Sequence, residues 1–102
     1  MTNATLVEPT SVYSRSVDVV SRQVGNESIL VPIRQNIGNL DYVYTLNPVA
    51  ARVWSLLDGK RTIGTIIDEL CDEFDVDRDT AHTDVSTLLT DLAGASLVTL
   101  LR

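Results

Sequence analysis

Three aspartates at alternating positions, Asp75, Asp77 and Asp79, begin like a calcium-binding loop. Such a loop needs Gly at its sixth position and a bidentate Glu at its twelfth. Those positions hold Thr80 and Ser86. Carboxylates at the start of a helix, favoured by its macrodipole, account for the run better. A zinc site or a nucleophilic triad needs several groups converging on one point. This chain has one histidine, His82, and one cysteine, Cys71. His82 is expected on or near the exposed side of a third helix, and Cys71 beside a buried stripe as packing material. Trp54 could stack against a ligand, but at helical spacing with Ala50 and Leu57 it reads as core. Glycines 25, 38, 59, 64 and 94 are scattered and form no phosphate-cradling loop. The acidic pairs Asp68-Glu69 and Asp72-Glu73 read as a solubilising helical face. Lys60 and Arg61 read as a small basic patch on a solvated turn. No catalytic residue, metal site or cofactor is expected, so the chain is read as a binding domain rather than an enzyme.

The totals agree with that reading. A chain of 102 residues that is 44 % hydrophobic can build one modest core. The net charge is −6, and it is unevenly spread. Residues 1–40 balance Glu8, Asp18 and Glu27 against Arg15, Arg22 and Arg34, so the whole excess falls in residues 41–102. Such a surface repels phosphate backbones, which argues against nucleic acid. No apolar run approaches a membrane span. The first nine residues lack the charged start and apolar run of a secretory signal. A lone cysteine suits a reducing compartment, so a cytoplasmic location is expected.

The elements that must position any site come in two blocks. Residues 1–16 read as a loosely ordered tail or a weak edge element, and residues 17–102 as the domain. Val17 to Val24 and Ile29 to Ile33 flank a Gly25-Asn26 turn, the pattern of a β-hairpin, with Pro32 at an edge or bulge. After a link around Asn36 to Asn39, Tyr42-Val43-Tyr44-Thr45-Leu46 reads as a third strand. Asn47 then caps a helix with Pro48 at its first position and a stripe of Ala50, Val53, Trp54 and Leu57. Asp58-Gly59 ends it. Thr62 caps a second helix with Ile63, Ile66, Ile67, Leu70 and Phe74 on its buried face. Asp77 caps a third, with Ala81, Val85, Leu88 and Leu92 as its stripe. Ser96 to Leu101 could add a short terminal strand or wing. Strands first and helices after predict an α+β domain, a three-stranded antiparallel β-meander followed by three helices.

Several of these residues carry a resemblance. The series Leu46-Asn47, Ala50/Ala51, Val53-Trp54, Leu57-Asp58-Gly59, Arg61-Thr62-Ile63, Ile66-Ile67, Leu70 and Phe74, continued by Asp84-Val85, Leu88-Leu89 and Leu92, resembles the PqqD-like family over most of residues 17–101. Members are small winged helix-turn-helix-like domains, also called RiPP recognition elements. The resemblance implies a non-catalytic peptide chaperone that binds the leader of a ribosomally made precursor peptide. It also implies a maturation enzyme as partner, often a radical S-adenosylmethionine (radical SAM) protein. In such domains the leader typically adds beside the third strand, in a groove shared with the third helix.

The residues can be weighed against that expectation. Strand addition needs an accessible strand edge and pockets for alternate side chains. Tyr42 to Leu46 carries none of the Pro or Lys residues that guard free edges. Alternation puts Tyr42, Tyr44 and Leu46 on the helix-facing side and Val43 and Thr45 on the other. The opposite wall would be Asp84, Thr87, Leu88 and Asp91, which suits a leader with apolar anchors and a basic residue. These nine residues form the candidate peptide site. Two alternatives stay open: the edge is covered by the N-terminal tail, or it pairs with a second copy in a homodimer. A DNA-reading helix is disfavoured, because Asp77 to Ala95 holds four acids against Arg78 alone.

Overall fold

A two-residue β-hairpin loop needs positive φ at its first central position for the type II′ geometry that follows strand twist. Gly25 supplies it at φ 61°, while Asn26 stays at negative φ. The computed structural model describes residues 6–32 and 44–102. In it this turn joins strand β2 (Val19–Val24) to β3 (Glu27–Pro32). The hairpin register runs from Val19↔Pro32 to Val24↔Glu27. Strand β4 (Tyr44–Leu46) pairs antiparallel on the other side of β3, through Ser28↔Leu46, Ile29↔Thr45 and Leu30↔Tyr44. The expected meander is therefore present, in the order β2-β3-β4. Its first strand starts later than expected, since Val17 is 91 % exposed. Ile33, Tyr42 and Val43, expected to extend the second and third strands, lie outside the described residues.

Chain order supplies the helices next. Helix α1 (Pro48–Leu56) begins on Asn47, whose Oδ1 accepts the Ala50 N–H at 2.8 Å. Helix α2 (Ile63–Glu73) is capped by Thr62, and α3 (Arg78–Gly94) by Asp77, whose Oδ1 accepts the Thr80 N–H at 2.8 Å. All three caps follow the sequence expectation. Each supplies an acceptor for an N–H that the helix itself leaves unpaired. Ile63, Ile66, Ile67 and Leu70 of α2 pack with Val53, Trp54 and Leu57 against Leu30 and Leu46 of the meander and Ala81, Val85, Leu89 and Leu92 of α3. Trp54 is thus a core residue, and Cys71 lies half-buried at the margin of the same cluster. On α3 it is Leu89, not Leu88, that is fully buried.

The second sheet corrects the expectation of a loose tail through residue 16. Val12–Arg15 forms strand β1, the middle strand of a sheet ordered β5-β1-β6, with β5 at Asp58–Thr62 and β6 at Val98–Leu100. Val12 is 2 % exposed. Its N–H donates to the Arg102 carbonyl at 2.9 Å, and its own carbonyl accepts the Leu101 N–H at 2.7 Å. Arg15 ends this strand by donating to the carbonyls of Trp54 and Ser55, at 3.1 and 3.0 Å, at the last turn of α1. A cation there opposes the negative end of the helix dipole. The architecture remains α+β, but the strands are not confined to the first half. Asp58-Gly59, expected as a turn, opens β5, and the Asp58 Oδ1 accepts the N–H groups of Lys60 and Arg61, both at 2.9 Å.

Ahead of β1, the chain is fixed by its own backbone. Pro9 and Ser11 carbonyls accept the N–H groups of Gly64 and Ile63, both at 2.9 Å, at the start of α2. Among the described residues, no helix is long and apolar enough to cross a membrane.

Candidate peptide-binding groove

Asn47, the single residue between β4 and α1, is also the cap of α1, so strand and helix follow one another almost directly. The first turn of α1 therefore lies directly beside the outer edge of β4. Across from it runs α3. Between these elements is a groove of about 510 Å³. Tyr44, Thr45 and Leu46 form one wall, and Asp84, Thr87, Leu88 and Asp91 the other. All seven described members of the candidate set are thus brought together, although they come from distant parts of the chain. Tyr42 and Val43 lie outside the described residues.

Alternation along β4 sets the character of its wall. Leu46 is 1 % exposed, Tyr44 is half-buried against the core, and Thr45 is exposed. That is the predicted pairing of Tyr44 with Leu46 on the helix-facing side. On α3, Asp84, Leu88 and Asp91 recur at i, i+4, i+7 and share one face. Leu88 is half-buried there, packed against the margin of the core rather than enclosed in it. The floor includes Val49, Ala50 and Val53 of α1, with Leu70 and Val76 from the α2 side. Val49 and Val76 were not anticipated as site residues. The signal for Val49 is its place three residues after the strand, just beyond the tight Asn-Pro junction.

Among the described residues, the lining contains no lysine or arginine. The arginines near the helices are engaged elsewhere. Arg52 donates to both carboxylate oxygens of Glu73 at 2.8 Å, and Arg61 to Glu69 at 3.0 Å and to Asp58. Arg78 pairs with Asp68. The Arg52 bond holds the Glu73 carboxyl below its ordinary range, and the Arg61 and Lys60 N–H groups do the same for Asp58. Neither Asp84 nor Asp91 has an ion-pair partner among the described residues. The groove is apolar below and negative along its α3 rim.

His82 does not sit on the exposed side of α3 as expected. It is half-buried, and its Nε2 lies 2.8 Å from the Val7 carbonyl. At 100° per residue, His82 and Ser86 lie roughly opposite Asp84 and Leu88. The described part of the N-terminal segment therefore crosses the far face of α3, away from the groove. Among the described residues, no three metal-ligating side chains gather.

Residues 27–98 match the family described as coenzyme PQQ synthesis protein D (PqqD), and the chain belongs to that family. Its fold is close to that of TbiB1, solved in complex with the TbiA(beta) leader peptide. The TM-score is 0.68 at 30 % identity, over 83 % of this chain and 93 % of that one. It is also similar to a lasso peptide synthetase B1 solved with its leader peptide, with a TM-score of 0.70 at 20 % identity, over 85 % and 96 %. No curated protein matches the chain.

Proposed function

We propose that this protein is a non-catalytic peptide chaperone that binds the leader of a ribosomally synthesised precursor peptide and presents it to a modifying enzyme. The leader adds as a strand along β4, with alternate side chains in the groove. The observation that carries this reading is the groove itself, built from a sheet-edge strand on one side and a half-apolar helix face on the other. Among the described residues, β4 has β3 on one flank and no strand on the other. Strand addition uses such an arrangement: main-chain bonds give affinity, and pockets for alternate side chains give selectivity. The 30 % identity to a protein solved with a leader peptide supports the same ligand class.

The enzyme served would be a maturase, of the radical SAM type that the family resemblance often implies or another modifying enzyme, and both would work in the cytoplasm. DNA is a poor ligand for α3, whose groove-facing side presents Asp84 and Asp91 where base and phosphate readers carry cations. The test is a titration of the isotopically labelled chain with the leader of a short precursor encoded beside its gene. Shifts at Thr45, Leu46, Asp84 and Leu88 are expected. Shifts confined to the β2–β3 turn would reject the reading.

A further inference from the structure

We infer that the groove selects peptides in which an apolar side chain is flanked, two residues away on each side, by lysine or arginine. This rests on the strand-addition reading above and names the chemistry of its ligand. Asp84 and Asp91 stand seven residues apart on α3, which is about 10 Å along the helix. Leu88 lies between them on the same face, above the apolar floor of Val49, Ala50 and Val53. In an added strand, side chains i, i+2 and i+4 point to one side, and i to i+4 spans about 13 Å. Long cationic side chains absorb that mismatch, so positions i and i+4 reach the two carboxylates while i+2 meets Leu88. Among the described residues the rim receives no cation from the chain itself, since no lysine or arginine lines it and Arg52, Arg61 and Arg78 are bound to other carboxylates.

An acidic partner would meet unpaired like charge at both ends of the groove. A basic one would be attracted from a distance by a protein of net charge −6 and held locally by this pair. Each flanking cation should contribute about two- to five-fold in affinity, the range of a solvent-exposed ion pair.

The experiment is selection of a displayed random 15-residue peptide library against the full chain. Two charge variants run in parallel. D84N/D91N neutralises the rim with near-isosteric side chains. D72N/D75N removes the same charge from exposed positions outside the groove. With the native chain, binders should be enriched in Lys or Arg at i and i+4 around an apolar i+2. The D72N/D75N selection should keep that pattern, and the D84N/D91N selection should lose it while still enriching the apolar anchor. Native enrichment without flanking cations would overturn the charge rule and leave strand addition standing. So would a basic pattern that survives D84N/D91N or disappears equally in D72N/D75N. No enrichment at all would remove both readings together.

Discussion

His82 reaches Val7 across 75 positions of sequence, with its Nε2 2.8 Å from the Val7 carbonyl oxygen. A carbonyl only accepts, so Nε2 carries the proton and donates. One turn further along α3, the Ser86 hydroxyl accepts the Val7 N–H at 2.9 Å. Both backbone groups of one residue are thus held by one helix face, in the manner of a single rung of sheet. Ser86 is buried, so its replacement by Ala strands the Val7 N–H in a half-buried position. Such an orphaned group costs about 1–3 kcal/mol. S86A should lower the urea midpoint accordingly and speed amide exchange at Val7. Unchanged exchange there would mean that the segment is held by something other than α3.

Gly25 tests the hairpin separately from the groove. Its φ of 61° is left-handed, and a Cβ added there would meet nothing within 4 Å. The cost of a side chain is therefore conformational rather than steric. G25A and G25N should each destabilise by about 1 kcal/mol, because the first central position of a type II′ turn is open essentially to Gly alone. Thermal melts of the two variants measure it. A loss confined to one of them would contradict the backbone argument.

What could be read from the residues depended on how local the causes were. The caps at Asn47, Thr62 and Asp77 bond three residues ahead, so their signatures sit within one turn of sequence. Strand β1 has no such signature. Val12-Tyr13-Ser14-Arg15 is short and unpatterned, and its partners are the polar Asp58–Thr62 and the distant Val98–Leu100. Only tertiary pairing makes it a strand. The α3 stripe was ambiguous for another reason. Leu88 and Leu89 are neighbours about 100° apart, and a helix with one face in the core and another in a groove has room for both. His82 was misplaced because nothing near it in sequence announces a backbone partner 75 residues away. That β4 and α3 face one another across a groove came from the family resemblance, while alternation along β4 and the 3–4 spacing on α3, both local periods, picked out the residues on each wall.

Acid should weaken the fold through three identified carboxylates. The Thr80 N–H, assisted by the Thr80 hydroxyl, holds Asp77 below its usual value of 3.8. Glu73 is lowered from 4.5 by its bond from Arg52, and Asp58 from 3.8 chiefly by the Arg61 and Lys60 N–H groups. A carboxyl whose folded value lies below its unfolded value binds protons more weakly when folded. Its stabilisation is complete above the unfolded value and is lost as pH falls through the folded one. The urea midpoint should therefore be insensitive to these groups at pH 6 and fall below about pH 4. An E73Q/D77N variant should show a shallower acid decline than the native chain. Parallel declines would place the acid sensitivity in other groups.

Leu46 and Leu88 face the same groove, yet their truncation should have opposite consequences. Leu46 is 1 % exposed and part of the central cluster, so L46A leaves a cavity among side chains that cannot fully collapse. Such a change costs about 2–5 kcal/mol. Leu88 is half-buried, packs at the margin of the core and lines the groove, so L88A removes contact surface at a smaller folding penalty. Its stability loss should stay below that of L46A, at about 1 kcal/mol, the centre of the range for point changes. If a peptide anchors on this side chain, affinity should fall by about ten-fold, as for a residue central to an interface. Denaturant melts and fluorescence anisotropy with a peptide selected on the native chain measure the two effects independently. A variant at Leu88 that binds normally would move the anchor point off α3, because no other wholly apolar side chain on its groove-facing surface is more exposed than half-buried Leu88.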